Sequence, residues 1–445
     1  MRFFQELSHK EIALQLDLSM SNVKVRLLRA KNYFQTSSMR MIKSIQKLGP
    51  GLLFAGAAIG VSHLVQPTRA GADFGFGLLW ALLLVNFFKY PFFQFGPRFA
   101  LATGESLLSG YAKLGKPAIV TYFLLSLATM FTIQTAVTIV TAGIAVELFG
   151  ISTNIVYWGI AITFICSSLL LFGRYGLLDR GMKIIILILS VSTIIAAFLA
   201  FDKSKEIEWT QVLPSSTTGF AFLIAFMGWM PGPLDISIWH SLWSLEKKKR
   251  MKNLTLNNSL FDFNVGFITT IILGTCFIFL GAMVMYGTGD GFSSSGGAFA
   301  KQLIALYTTT LGNGTYWLIG IAAFATMFST TLTTLDASPR AMVKTAEILQ
   351  LPKAISSYFF WIIILALGTS AIFFFLLSNM GTLVQLATIL SFLTAPFYGL
   401  MNYLLVSGKH MPKKHQPNKM MKVWSIAGLI FLTGFTIWYL STLVI

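Results

Sequence analysis

Charge is what this chain of 445 residues has least of: 11% of them are Asp, Glu, Lys or Arg, where soluble globular domains carry about 25%. So few polar side chains cannot coat a water-facing surface of the size that such a chain folds into, and a soluble globular protein is excluded. Cysteine is nearly absent. Cys166 and Cys276 are the two, both inside apolar runs, where neither a disulfide framework nor a zinc cluster can be assembled. The G-x-x-x-x-G-K-[ST] run that cradles nucleotide phosphates is missing as well, so nothing points to ATP as the source of work. Period-two alternation is rare, which argues against an outer-membrane barrel.

What is present is apolar. Hydrophobic residues make up 55%, mean hydropathy is +0.72, and there are 37 glycines and 40 phenylalanines. Runs of about twenty apolar residues, the length that crosses a bilayer as a helix, place spans near 48–69, 76–101, 118–148, 154–173, 184–201, 218–243, 262–287, 314–338, 357–379, 384–407 and 423–444. The expected fold class is an all-α membrane protein of about eleven transmembrane helices.

The formal net charge of +17 raises nucleic acid as a partner until the basic residues are placed. With the amino terminus inside, the cytoplasmic segments from Lys43 onward hold twenty Lys and Arg, while the outer ones hold Arg69, Lys203, Lys205 and Lys301. That alternation is the positive-inside pattern. It makes the excess charge a matter of orientation, leaves membrane lipid as the partner and argues against nucleic acid. The Lys247 to Arg250 run is a solvated loop beside anionic lipid. The expected location is a bacterial cytoplasmic (inner) membrane, multi-pass, with the amino terminus cytoplasmic.

Residues 1–40 differ from the rest, with seven Lys/Arg and no run long enough to span. Ser8 with Glu11 makes a capping-box pattern, and Ser19 opens a second, basic helix. Residues 7–34 therefore have helix-turn-helix spacing, and they resemble the last two helices of region four of a bacterial sigma factor. Two such helices expose more apolar surface than they can bury against each other. The expectation is a remnant, or an upstream-start artefact with Met39 or Met41 as the functional start, ahead of a transporter domain over 41–445. The segment has no signal-peptide cleavage pattern.

The first span is interrupted from Gly60 to His63 and again at Pro67, and the sixth at Gly228, Pro231, Gly232 and Pro233. A broken helix at bilayer depth leaves backbone groups unpaired, which is tolerated only where they line a cavity or bind something. Matched breaks five spans apart point to a substrate site at mid-membrane; Gly and Pro that merely kink helices are the plainer alternative. Around these breaks the chain is similar to the Nramp family of proton-coupled divalent-metal transporters. The likeness runs through Gly49-Pro-Gly-Leu-Leu53, Ala70-Gly-Ala-Asp-Phe-Gly75, Asn86, Arg98, Thr103-Gly104, Met230-Pro231, Ser329-Thr-Thr-Leu-Thr333 and Pro396-Phe397. The resemblance implies the leucine-transporter type of inverted repeat, five helices plus five plus one. It also implies a secondary carrier rather than an enzyme, with no resident cofactor and a divalent metal as transported substrate.

The chain departs from that family at its ligands. Where the family has Asp-Pro-Gly-Asn, with Asp and Asn holding the metal, this sequence has Gly60, Val61, Ser62 and His63; where it has Met-Pro-His-Asn, this one has Met230, Pro231, Gly232 and Pro233. Substrate-binding candidates are thus Gly60, Ser62, His63, the Met227 carbonyl, Met230 and Asp235, with His63, Met230 and Asp235 as the metal set. His63 with Met230 offers a soft N/S pair, but a dication in a low-dielectric cavity also needs compensating charge. Asp235 and Asp336 are the carboxylates at such depth. Candidates for proton or ion coupling are Asp235, His63, Lys89 and Asp336. Lys89, deep in the second span, has no counterpart in the family and can pair with Asp235; His63 can equally be a hydrogen-bonded cavity wall. His240, ten residues past Met230, is either a proton-path group or a cytoplasmic interface residue. The missing acid and the extra lysine keep a second substrate class open, a small organic or monovalent one.

Overall fold

The computed structural model describes residues 19–23, 25–26, 54–56, 58–172, 175–201, 208–251, 253–288, 293, 296–375 and 380–443. The chain divides into two units, Met1–Gly49 and Pro50–Ile445. In the first, residues 20–23 and 25–26 are helical, and Ser19 opens that helix as its sequence suggests, its hydroxyl accepting from the Asn22 N–H at 3.3 Å. The Ser8–Glu11 cap, Met39, Met41 and the Gly49 to Leu53 run lie outside the described residues.

The second unit is built of helices: α1 (Val61–Leu64), α2 (Gln66–Phe74), α3 (Leu79–Thr103), α4 (Leu107–Leu114), α5 (Lys116–Phe149), α6 (Ile155–Leu171), α7 (Tyr175–Phe201), α8 (Thr217–Gly228), α9 (Ile236–Arg250), α10 (Leu256–Met285), α11 (Gly296–Leu311), α12 (Tyr316–Ile348), α13 (Tyr358–Phe375), α14 (Met380–Ser407) and α15 (Lys419–Thr442). Among the described residues no strand occurs. Helices α5, α10, α12, α13, α14 and α15 are long and apolar enough to cross a membrane, and α6, α8 and much of α7 are shorter apolar helices. Their outward faces carry bare hydrocarbon: Phe164, Phe172, Phe198 and Phe375 are 72–80% exposed. Lipid, not water, is the solvent for which such a surface is built.

The packing shows the internal repeat. Helix α2 of the first span runs along α10 of the seventh, α9 of the sixth runs along α3 of the second, and α5 lies against α12. Exchanging spans one and six, two and seven, three and eight turns this set of contacts into itself. Small residues let the backbones meet. A Cβ on Gly71 would stand 2.1 Å from the Ile278 carbonyl oxygen, one on Gly281 2.2 Å from that of Thr68, and one on Gly96 2.3 Å from that of Ser237.

Three departures from the sequence reading have simple causes. Pro67 does not break a helix, because it falls in the first turn of α2, where its missing N–H has no partner to lose. The interruption lies at Val65 instead. Helix α11 falls between the seventh and eighth expected spans; with 16 residues and polar Lys301 and Gln302 it gives no spanning signal. The eighth span continues to Ile348, beyond its apolar stretch, because Arg340, Lys344 and Glu347 pair along the helix with neighbours three or four residues away.

Candidate functional site at two broken helices

The first break centres on Gly60, whose backbone (φ −150, ψ −131) is not helical. Glycine is required there by proximity: a Cβ would lie 2.8 Å from both Cγ2 and Oγ1 of Thr330 on α12. The Gly60 carbonyl accepts from the N–H groups of His63 (3.0 Å) and Leu64 (2.9 Å), which starts α1. The Ser62 hydroxyl is hydrogen-bonded to the Ala58 carbonyl and lies 2.9 Å from His63 Nδ1. His63 is fully buried, with Nδ1 2.9 Å from the Ala58 carbonyl and Nε2 donating to the Thr270 carbonyl of α10 at 2.9 Å. Nε2 is thus committed to α10, while in a neutral ring Nδ1 keeps its lone pair beside the Ser62 hydroxyl, so in this arrangement His63 ties the break to α10.

The second break runs from Trp229 to Asp235. Pro231 and Pro233 bring no N–H, the Met230–Pro231 peptide is cis, and the last carbonyls of α8 have no helical partner. Lys89 of α3 supplies one. Its side chain is fully buried, and Nζ donates to the Met227 and Gly228 carbonyls at 2.7 Å each and reaches that of Gly232 at 3.5 Å. The ammonium thus stands at the negative end of the α8 dipole. The Met227 carbonyl, expected to face substrate, faces an internal cation.

Met230 and His63 both face Gly274 of α10. The Met230 Sδ and the His63 ring lie 3.4 and 3.8 Å from the Cβ that Gly274 of α10 lacks. Asp235 stands at the entry of α9, partly buried, with Oδ1 closed off and without a hydrogen-bond partner. The Lys89–Asp235 ion pair that the sequence allows is absent from the 4.0 Å contacts among the described residues. No three His, Cys, Asp or Glu side chains gather as a metal cage among those residues.

Between the breaks lies a cavity lined by Val61, Ser62, Trp229, Pro233, Thr330 and Thr334 among others, with about 20 Å³ of room for the centre of a water molecule. That is space for about one water or ion. Its polar wall is the α5–α12 seam. Thr334 donates to Gln134 Oε1 at 2.6 Å, Gln134 Nε2 donates to the Thr331 carbonyl at 3.2 Å, and Thr331 meets Thr141 at 2.8 Å. Thr330 and Thr331 also bond back to the Thr326 and Met327 carbonyls, both at 3.0 Å, as hydroxyls in membrane helices often do.

Asp336 is not part of this group. Its oxygens accept from Arg340 Nε at 2.8 Å and from the Tyr358 hydroxyl, and Arg340 stacks 4.9 Å over the Tyr358 ring. His240 is fully buried, stacked 5.7 Å from Phe54 and tilted against Phe263 at 5.7 Å. Glu105 pairs with Lys113 at 2.6 Å and Asp262 with Lys247 at 3.4 Å, while Arg98 donates to Gln94 (2.8 Å) and the His415 carbonyl (3.2 Å). Sequence reasoning passed over Gly274, Thr270 and Trp229. A lone glycine or threonine in a long apolar helix carries no signal of the partner it will face.

Two unwound helices converging on one cavity inside a membrane bundle is carrier architecture, and the comparisons agree. Residues 51–442 match the family model of natural resistance-associated macrophage protein-like chains. The chain belongs to the Nramp family. An uncharacterized protein of Pasteurella multocida is 33% identical over 402 residues, covering 88% of this chain and 92% of that protein. Among solved structures, the Eremococcus coleocola manganese transporter in complex with an aromatic bis-isothiourea compound superposes with a TM-score of 0.68 at 15% identity, covering 88% of this chain and 86% of that one. MhsT in complex with L-phenylalanine gives 0.62 at 14% identity, covering 88% and 97%. These likenesses show the leucine-transporter fold in this Nramp-family membrane protein. Residues 1–33 separately match region four of sigma-70.

Proposed function

We propose that this Nramp-family chain is a secondary-active carrier that moves a divalent metal cation across a bacterial cytoplasmic membrane, amino terminus inside. One observation carries the reading. The carbonyl end of α8, unwound at a break in the bundle, already holds a positive group in full burial, and dipoles that hold an ammonium suit a metal ion of the same sign. The manganese transporter of Eremococcus coleocola has the same fold, which supports a metal as cargo. The Met227 carbonyl and Met230 Sδ are the contacting groups in this proposal, Gly60 and Ser62 form the opposite wall, His63 positions the first break, and Asp235 offsets the charge of the Lys89 ammonium. The absence of an ATP-binding loop leaves ion and substrate gradients as the driving force.

Uptake into proteoliposomes loaded with a metal-sensitive dye tests this, with manganese, iron, magnesium and zinc offered in turn. The expected result is saturable entry of at least one of them, faster with an inward proton gradient. If folded, inserted protein excludes all four, the metal assignment falls and the small organic or monovalent substrate replaces it.

A further inference from the structure

We infer that the Lys89 ammonium is a resident cation which the transported ion must displace from the α8 carbonyls, and that Asp235 is the group that receives it. The inference rests on the cation reading above and adds the residue that sets how tightly a cation is held.

Lys89 has one observed seat and a second within its electrostatic reach, since Nζ also comes within 3.5 Å of the Gly232 carbonyl, three residues before Asp235. In the first, the one observed, Nζ donates to the Met227 and Gly228 carbonyls at 2.7 Å each. These are last-turn carbonyls without partners inside α8, so removing the ammonium leaves them orphaned unless another cation arrives. The second seat is Asp235. A buried carboxylate oxygen without a hydrogen-bond partner is costly, and its field acts on the same ammonium. Opposite charges this deep in a bundle attract strongly, yet no ion pair forms. Two carbonyls and the α8 dipole hold the ammonium instead. A lysine stem is flexible enough to carry one charge between neighbouring seats.

A metal ion and the ammonium cannot share those carbonyls, because like charges in contact repel most where the dielectric is low. When the ion enters, the ammonium moves to Asp235, the pair it forms there is neutral, and both the carbonyls and the carboxylate are satisfied. Before entry, the ammonium serves the carbonyls as an ion would. As a tethered competitor it acts at high effective concentration, so it weakens binding and favours release on the far side.

The test is titration of purified full-length protein with manganese chloride, followed calorimetrically. Lys89→Met should bind manganese at least about tenfold more tightly than the parent. Asp235→Asn should bind at least about tenfold more weakly in the parent background, and no more than about twofold more weakly in Lys89→Met, where no ammonium needs a seat. Lys89→Gln keeps donors for the carbonyls without the charge, and stands in with the same expected direction if Lys89→Met does not fold. A folded Lys89 variant that binds no tighter than the parent overturns the inference. So does an Asp235→Asn loss of equal size in both backgrounds, which would make Asp235 a direct ligand. The proposed function is judged separately, by uptake through the unaltered protein.

Discussion

At the scale of single residues, the breaks stood out in the sequence and the contacts that fill them did not. Gly60, Pro231 and Asp235 were legible because matched Gly/Pro breaks and an acid stand out from apolar helix. What His63 does was not, since its partners, the Ala58 and Thr270 carbonyls, are backbone atoms that any sequence would supply. Burial and the Nε2 bond to the Thr270 carbonyl make His63 a strut between α1 and α10. Replacing it by Ala removes the donor to Thr270 and leaves a void, at a cost of about 1–3 kcal/mol, read as a lowered unfolding temperature in detergent. His63→Gln keeps an N–H donor, and manganese affinity should stay within about twofold of the parent. A tenfold loss in His63→Gln with unchanged thermal stability would make the imidazole a ligand. Lys89 illustrates the converse case. Its anomaly was visible in the sequence, and its natural partner looked to be a carboxylate, but the unpaired carbonyls of a helix end competed successfully for it.

At the scale of elements, long apolar runs gave the spans, and what escaped was whatever does not depend on hydropathy. Helix α11 and the polar extension of α12 belong to that class, as does the clean start of α2 at a proline. Close packing between helices escaped for a different reason: a glycine reads the same whether it faces lipid or a neighbouring backbone. Gly228, at the end of α8, faces α14 so closely that a Cβ would lie 2.0 Å from the Thr388 carbonyl oxygen, whereas Gly434 in α15 has nothing within 4 Å of its would-be Cβ. Backbone cannot move aside as a side chain can. Gly228→Ala should therefore push α8 off α14, disturb the carbonyls that hold Lys89, lower the unfolding temperature and reduce uptake by about tenfold or more. Gly434→Ala is the control, and should leave stability unchanged or raise it by up to about 1 kcal/mol. Equal effects of the two substitutions on unfolding temperature would remove the packing argument.

At the scale of the whole molecule, the repeat was written in the sequence, and so is the charge asymmetry on which the proposed orientation rests, because each is a pattern of many residues and survives errors in any one. The breaks recur five spans apart, and the packing of α2 on α10 answers that of α9 on α3. The amino-terminal unit obeys neither pattern. Its likeness to sigma-70 region four spans residues 1–33, and the transporter likeness begins at residue 51. The two short helices that its sequence predicts would bury too little apolar surface to form a stable reader of DNA by themselves, and the described residues that line the cavity belong to the second unit. Removing residues 1–40 should therefore leave manganese uptake within about twofold of the full chain, measured in proteoliposomes at matched insertion. A tenfold fall at unchanged insertion would make the segment a working part of the carrier. Sequence-specific DNA retention by the full chain, lost on the same truncation, would instead give those helices a function of their own that the apolar-surface argument denies them.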